Sequence, residues 1–358
     1  MNEGLGRLGW GDRWAAQFEP YAAQGLDPGR VVRADRGSAV VALSTVVVRA
    51  QPSRRLLDAA RGAADLPAVG DWVALMNEHD LDVPLIEAIL PRVGTITRGD
   101  PGGSSDVQVL AANVDTVLVV HPIAEEPNLR RIERELTFAW DSGAIPVVVL
   151  TKADLSADPD GARVAVESVA LGVDVVVINA RDTDSAEALL AYTADQRTAV
   201  LLGPSGAGKS TIANALVGEE RQATSEVRAG DQKGRHTTVA RELIPLASGG
   251  VLIDTPGLRA LGLTASDEGI AAVFSEIDEL AQHCRFRDCA HADEPGCAVN
   301  AAVMSGTLPA DRLASYHKLM RESAVAAARD DVRLRSEVKG RSKAIAKVIK
   351  DYYKQHQR

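Results

Sequence analysis

The hydrophobic positions along the chain change character at about residue 105. From about Gly29 to Gly103, short β-like segments are broken by Gly, Asp and Pro residues. Several short strands separated by turn residues are typical of a small barrel or sandwich. We expect an OB-fold β-barrel, with another small β-sandwich or an SH3-like barrel as the alternative. The candidate strands are 31–35, 38–43, 45–50, 71–76 and 85–90.

Longer, near-continuous apolar runs follow, and amphipathic segments such as 127–140 and 186–194 separate most of them. Strands that are buried on both faces and alternate with helices predict a parallel α/β sheet. We therefore expect a central α/β domain. Its candidate strands are 114–120, 145–150, 173–178, 198–203 and 250–255.

The remainder of the chain is helical in pattern around a cluster of cysteines, and it begins with the stretch 267–282. From Arg333 to Arg358, nine Lys or Arg residues stand against Glu337 and Asp351, which gives this basic tail a local charge of +7. With 358 residues, several domains are expected. We predict an N-terminal extension, a barrel, an α/β domain and a helical metal-binding domain with the basic tail, at 1–28, 29–104, 105–264 and 265–358.

The composition and the net charge of the chain exclude several classes of protein. Apolar residues make up 46% and charged residues 25% of the chain, which is the balance of a globular protein and excludes wholesale disorder. No apolar run approaches the ~18 residues of a membrane-spanning helix, and the N-terminus shows no secretory signal, so we expect a cytoplasmic protein without a membrane partner. The net charge is −9, so any RNA binding must come from local basic patches. We expect a monomer.

A phosphate-binding loop follows the apolar run that ends at Leu202. The string GPSGAGKS matches GxxxxGK[ST] and precedes a helical pattern, which is the context expected of a P-loop. Backbone N–H groups of such a loop point at phosphates, and the next helix adds its positive N-terminal end. Lys209 is expected to reach the β- and γ-phosphates, and Ser210 to bind Mg²⁺. The predicted phosphate cradle is Gly203, Pro204, Ser205, Gly206, Ala207, Gly208, Lys209, Ser210 and Thr211.

The choice of base is predicted by Thr151, Lys152, Ala153 and Asp154, which end another strand candidate. This string resembles the (N/T)KxD motif of GTPases. A carboxylate such as Asp154 can accept hydrogen bonds from guanine N1–H and N2–H₂ together, whereas adenine offers no such pair of donors. A lone TKxD can also be a simple helix cap, but beside a P-loop it favours guanine.

Two further segments complete the predicted Mg²⁺ and γ-phosphate site. Asp254 to Gly257 resembles the DxxG motif, in which the Asp holds Mg²⁺ through water and the Gly N–H meets the γ-phosphate; a simple β-turn is the alternative. The polar stretch Gly234 to Thr238 fits a switch loop, in which Thr237 or Thr238 completes the Mg²⁺ shell. Leu258 stands where many GTPases place the glutamine that orients water, and His236 is the nearest alternative. We expect slow intrinsic hydrolysis that a partner accelerates.

The order of these motifs is unusual, because the TKAD string precedes Lys209 by 55 residues. In ordinary small GTPases the P-loop comes first. The sequence therefore predicts a circularly permuted GTPase domain, which a closed α/β unit tolerates because its chain ends can lie close together.

All three cysteines of the chain lie within 14 residues, in the pattern Cys284-x4-Cys289-x-His291-x5-Cys297. Three thiolates and an imidazole suit tetrahedral Zn²⁺, and four protein ligands leave no open position for catalysis. We predict one structural zinc, with buried free thiols as the alternative reading.

Taken in order, TKAD, GPSGAGKS, GRHTT, DTPGL and CRFRDCAHADEPGCAV resemble the circularly permuted, small-ribosomal-subunit-dependent GTPases of the RsgA (YjeQ/YloQ) family. The resemblance covers roughly residues 29–325. It implies an OB domain, a central GTPase and a zinc domain, with GTP/GDP, Mg²⁺ and Zn²⁺ as cofactors. It further implies binding to the small ribosomal subunit and its rRNA in late maturation, and GTP hydrolysis that the subunit stimulates and that leads to release.

The chain departs from that family at several positions. Thr151 stands where Asn is commoner, and Asn179 and Ala180 stand where a Ser-Ala loop backs the guanine. The candidate rRNA contacts are the barrel loops, Arg285 and Arg287 of the cysteine cluster, and the basic tail. Two other functions stay open: a P-loop ATPase or kinase with a coincidental TKAD, and a slow guanine-nucleotide-sensing regulator that binds RNA or protein independently of the ribosome.

Overall fold

The computed structural model describes residues 3–77, 83–99, 107–179, 187–217, 241–254, 266–292 and 294–324. No helix in these ranges is long and apolar enough to cross a membrane. The switch candidates Gly234 to Thr238, the residues Gly257 and Leu258, Ala180 and the basic tail lie outside the described residues.

The N-terminal strands form the predicted barrel. Five strands close in the order β1-β2-β3-β5-β4, with β3 parallel to β5 and all other neighbours antiparallel. Apolar side chains from alternate positions, such as Val31, Val41, Val73 and Ile86, fill its interior. The strands are β1 (Asp27–Asp35), β2 (Ser38–Ala42), β3 (Val47–Pro52), β4 (Trp72–Met76) and β5 (Leu85–Ile89).

Two helices that precede the barrel cover its wall. The ring of Trp10, between α1 (Glu3–Gly6) and α2 (Asp12–Ala22), meets the buried ring of Trp72 edge-on, with 4.8 Å between ring centroids. Trp14 of α2 lies 6.0 Å from Trp72 by the same measure. Trp10 and Trp14 therefore dock this N-terminal segment on the barrel strand β4. A third helix, α3 (Arg54–Ala59), joins β3 to β4, and Ser53 caps its N-terminus.

A separate antiparallel pair, β6 (Thr95–Gly99) and β7 (Val107–Ala112), leads into the central sheet. That sheet has the strand order β10-β9-β8-β11-β13-β12, and only β12 runs antiparallel to its neighbour. The strands are β8 (Thr116–Pro122), β9 (Ile145–Thr151), β10 (Asp174–Val177), β11 (Thr198–Leu202), β12 (Glu242–Pro245) and β13 (Val251–Asp254).

Alternate residues of the central strands enter two different cores, which explains their continuous apolar character. Val117 and Val119 of β8 face the core that contains Ile132 and Leu136 of α4 (Leu129–Asp141). Leu118 and Val120 face the opposite core, beneath the helix Lys209–Val217, here α7. The helices of this domain are α4, α5 (Pro159–Glu167), α6 (Leu190–Thr193) and α7 (Lys209–Val217).

The helical C-terminal part of the described chain, residues 266–292 and 294–324, is here called the metal module. It continues the first of these two cores. The stretch 267–282 is predicted as one helix but forms two, α8 (Asp267–Val273) and α9 (Ser275–Ala281), because the chain leaves helical geometry at the buried Phe274. The ring of Phe274 packs between Tyr316 and the guanidinium of Arg312. Two further helices follow, α10 (Ala298–Met304) and a helix, here α11, described over 310–324.

Candidate nucleotide and metal sites

The P-loop follows β11 and opens α7. Gly203, at φ +143°, lies so close to β8 that a Cβ atom there would stand 2.1 Å from the carbonyl oxygen of Val120. Gly206 and Gly208 also have positive φ, at +77° and +95°. L-residues with side chains rarely adopt these angles, so glycine is required for the curl of the loop. The loop therefore has the backbone form that a phosphate cradle needs.

Lys209 lies at the start of α7 and is folded over the loop. Its Nζ donates hydrogen bonds to the carbonyl oxygens of Gly203, at 2.8 Å, and Pro204, at 2.6 Å. Ser205, Gly206 and Ser210 are exposed. The ammonium group is thus held beside the mouth of the loop, where it can neutralise phosphate oxygens.

The TKAD residues follow β9, two strands away from the P-loop in the sheet. Thr151 is fully buried, and its hydroxyl donates a 2.6 Å hydrogen bond to the carbonyl oxygen of Ala207 in the P-loop. Lys152 adopts left-handed backbone angles, and Asp154 is exposed in a short 3₁₀ turn, Ala153–Leu155. Thr151 therefore joins the two motifs, while the side chain of Asp154 is left at the surface, where a base can reach it.

The carboxyl ends of the parallel strands gather the remaining candidates along one edge. Asn179 follows β10, the outermost strand on the TKAD side, and Asp254 ends β13, the neighbour of β11 on the other side. The hydroxyl of Ser210 and the carboxylate of Asp254 are the hard oxygen ligands that Mg²⁺ takes. Ligands of open α/β sheets bind at this edge. The edge has its base-binding candidates at one end and its phosphate and Mg²⁺ candidates at the other.

A buried histidine–glutamate contact that the motifs do not indicate lies behind this edge. His121, near the end of β8, places its Nε2 2.6 Å from Oε2 of Glu135, and both side chains are buried. The other oxygen, Oε1, accepts a 2.9 Å hydrogen bond from Nε of Arg131. The pair fixes α4 against the end of β8, the strand that lies between the two motif strands. In the sequence, Glu135 looks like a solvent-facing helix residue, so no local signal could have revealed this contact.

The four predicted metal ligands come together in the C-terminal module. The ligand atoms of Cys284, Cys289, His291 and Cys297 all lie within 4.8 Å of one another. Nδ1 of His291 lies 3.6 Å from the sulfur atoms of both Cys284 and Cys297, and those sulfurs are 3.9 Å apart. Tetrahedral zinc with ordinary bond lengths sets S···S at ~3.8 Å and S···N at ~3.6 Å. The donor set and its spacing therefore fit a structural zinc ion.

Surrounding groups favour the ligand forms of Cys284 and His291, whereas burial and the neighbouring thiols raise the pKa of Cys289 to about 11 in the absence of a metal ion. Backbone N–H groups of Ala298 and Asn300, at the start of α10, point at the sulfurs of Cys284 and Cys297 at 3.4 Å. Burial, with a smaller contribution from His317, lowers the pKa of His291, which favours the neutral imidazole. Metal binding requires a neutral imidazole and thiolates, and N–H groups that point at sulfur stabilise the thiolates.

A family model and solved structures of known proteins agree with the motifs and the fold described above. The family model described as RsgA GTPase matches residues 89–264. Among solved structures, YjeQ from Thermotoga maritima superposes with a TM-score of 0.62 at 25% identity, over 84% of this chain and 99% of that one. The circularly permuted GTPase YloQ gives a TM-score of 0.60 at 24% identity, over 84% of this chain and 96% of that one, and this likeness shows the fold. The fold class predicted from the sequence is confirmed.

Full-length relatives are more similar in sequence. The small ribosomal subunit biogenesis GTPase RsgA of Streptomyces coelicolor is 48% identical over 94% of this chain and 91% of its own length. The protein of the same name from Opitutus terrae is 45% identical over 91% of this chain and 92% of its own length. Similarity of this degree across the barrel, the central sheet and the metal module shows that the chain belongs to the RsgA family of circularly permuted GTPases.

Proposed function

We propose that this protein is a GTP hydrolase that acts in late maturation of the small ribosomal subunit, which it binds in the GTP state and leaves after hydrolysis. The observation that carries the proposal is the sheet edge on which the TKAD and P-loop residues are joined by the hydrogen bond from Thr151 to Ala207. The names of its relatives support the ribosomal role.

Within this function the predicted residues have distinct tasks. Asp154 selects guanine, with the stem of Lys152 covering the base, and Asn179 and Ala180 back it. Residues 203–211 cradle the phosphates, and Lys209 neutralises charge that develops on them. Thr151 acts as a positioning residue, because its hydroxyl is bonded to the P-loop and its side chain is buried.

Ser210, Asp254 and one of Thr237 and Thr238 would hold Mg²⁺, and Gly257 would sense the γ-phosphate. The ion supplies charge neutralisation on the phosphate oxygens. His236 is the candidate that positions water. In such sites, electrostatic positioning provides most of the rate acceleration.

The division of the chain into four parts, at 1–28, 29–104, 105–264 and 265–358, belongs to the proposal. Its boundary at residue 104 falls between β6 and β7, which pair with each other. So do the cytoplasmic location, the monomeric state and rRNA contact through basic patches. Phosphate contacts of that kind would make subunit binding sensitive to salt.

The first experiment measures GTP turnover with and without purified small ribosomal subunits, with large subunits as the control. We expect stimulation of about tenfold or more by small subunits alone, as partner-stimulated GTPases show. Lys209→Ala should abolish stimulated turnover, whereas Lys318→Ala, at an exposed position of α11, should leave it unchanged. Equal rates with large and small subunits would contradict the ribosomal role. Effective competition by ATP would favour a P-loop ATPase or kinase instead.

A further inference from the structure

The surface of the metal module carries an exposed aromatic ring between two arginines. Phe286 is 42% exposed, and its neighbours Arg285 and Arg287 are exposed as well. All three lie in the four-residue loop between the ligands Cys284 and Cys289. We call residues 285–287 the RFR loop. Phe286 is not part of the buried hydrophobic cluster of the module, and a large part of its side chain is open to solvent.

Hydrogen bonds and packing hold the RFR loop in place, in addition to the metal ligands Cys284 and Cys289 on either side of it. The backbone N–H of Arg285 donates a 3.1 Å hydrogen bond to the carbonyl oxygen of Gly296. The stem of Arg285 packs on that glycine so closely that a Cβ there would lie 3.1 Å from Cβ of Arg285. Beyond Cys289, the carbonyl oxygen of Ala290 lies 3.1 Å from Nε2 of His317 on α11. A surface aromatic side chain on a fixed loop loses little conformational freedom when it binds a partner.

The groups of the loop suit a nucleotide with an unpaired base. The guanidinium carbon of Arg285 lies 5.5 Å from the centre of the Phe286 ring. A ring of this kind stacks with any base, and guanidinium groups bind phosphate oxygens. Glu294, a nearby acid, directs its carboxylate to the backbone N–H groups of Ala290 and Ala292, at 2.9 and 2.8 Å. Asp288 is the acidic residue adjacent to the loop.

We infer that the RFR loop is a stacking platform for an unpaired nucleotide of single-stranded RNA. Phe286 stacks with the base, and Arg285 and Arg287 bind the flanking phosphates. The inference deepens the proposed function. The choice of RNA as the ligand rests on that function. A base inside a continuous duplex offers no free face, so the platform distinguishes single strands from double-stranded RNA.

The test measures binding of a fluorescently labelled 12-nucleotide oligouridine, and of a 12-base-pair RNA duplex, to the zinc-loaded full-length protein. We expect Phe286→Leu, which keeps an apolar side chain without a ring, to weaken single-strand binding about 5- to 30-fold and to leave duplex binding unchanged. Phe286→Trp should retain wild-type affinity. Met304→Ala is the matched control, because Met304 is 89% exposed in the same module but lies in α10.

The salt dependence of RNA binding distinguishes base stacking from phosphate contacts. Arg287→Gln should reduce the slope of log affinity against log salt by about 0.7, whereas Phe286→Leu should leave the slope unchanged. Every variant should retain one equivalent of zinc and wild-type GTP turnover in the absence of subunits, which shows that the fold is intact.

The platform and the proposed function can fail separately. If small subunits stimulate the wild-type protein but Phe286→Leu binds the single strand like wild type, the platform is wrong and the function stands. The same conclusion holds if the single strand does not bind at all, or if Phe286→Leu weakens duplex and single strand equally, as a general docking surface or a protein-binding site would. If the single strand depends on Phe286 but subunits give no stimulation, the ribosomal function fails and the platform stands.

Discussion

The barrel and the metal module each contact the central domain through a buried arginine, and the two arginines have different partners. Arg30 of β1 donates hydrogen bonds to neutral acceptors, namely the carbonyl oxygens of Leu8 and Gly70 and the hydroxyl of Thr198 on β11. Arg312 of α11 instead pairs with two carboxylates, Glu133 of α4 and Glu276 of α9.

Because their partners differ, the two buried guanidinium groups have different electrostatic environments. Burial lowers the pKa of Arg30 to about 10, and the more distant charges of Asp115 and Asp71 oppose that shift only in part. At Arg312, Nη1 lies 2.7 Å from Glu133 and Nε lies 2.6 Å from Glu276. Removing Arg30 leaves three neutral acceptors without a donor but no buried charge, whereas removing Arg312 leaves a buried carboxylate without its counter-charge. The barrel is closed by its own strands, whereas the metal module adds buried ionic contacts and a cluster of metal ligands to its apolar packing.

The strongest test of that contrast is removal of the metal. Structural zinc contributes on the order of 10 kcal/mol to small zinc domains, so a chelator should unfold the module around residues 284–304 and spare the barrel. Hydrogen exchange followed by mass spectrometry would show protection lost in α10 and kept in β1–β5. Cys289→Ala should reproduce the effect without a chelator. Stoichiometric zinc in that variant would contradict the ligand set.

A smaller effect is expected from Arg312→Met. Because the variant leaves the buried Glu133 without its counter-charge, with only the hydroxyl of Ser315 still donating to it, the module should open more easily by about 3–5 kcal/mol. Adding Glu133→Gln to it should restore part of this loss. Arg134→Ala, which breaks an exposed pair with Glu322, is the matched control and should change stability by about 1 kcal/mol or less. Amide exchange in α8 and α10 measures all three, and equal effects of the two arginines would remove the distinction between buried and exposed pairs.

The smallest effect is expected from Arg30→Met. Three acceptors lose a donor, but an apolar side chain replaces a cation whose charge is poorly compensated, so we expect the junction between barrel and sheet to weaken by about 2 kcal/mol. Exchange of amides in β1 and β11 would report it. A loss greater than that of Arg312→Met would show that neutral acceptors hold a buried arginine as firmly as carboxylates do.

Local patterns in the sequence were sufficient for the five barrel strands, for five strands of the central sheet, for the P-loop and for the metal ligands, whereas β6, β7 and β12 were not among the candidates. The strand candidates of both sheets are confirmed because alternation and continuous apolar runs follow directly from which faces are buried. The P-loop string and the Cys₃His spacing each lie within a few consecutive residues, so the geometry they require is local.

Contacts between distant residues were decided by the tertiary structure alone. The parallel pairing of β3 with β5 closes the barrel, and no periodicity in either strand indicates it. Glu133 and Glu135 resemble solvent-facing helix residues, yet both are buried because Arg312 and His121 supply their partners. In the sequence, Thr151 stood out only as a position where Asn is commoner, whereas its hydroxyl joins the TKAD motif to the P-loop 56 residues later. Charged and polar side chains are buried only where a partner satisfies them, and a partner that is remote in sequence is specified by the assembled fold.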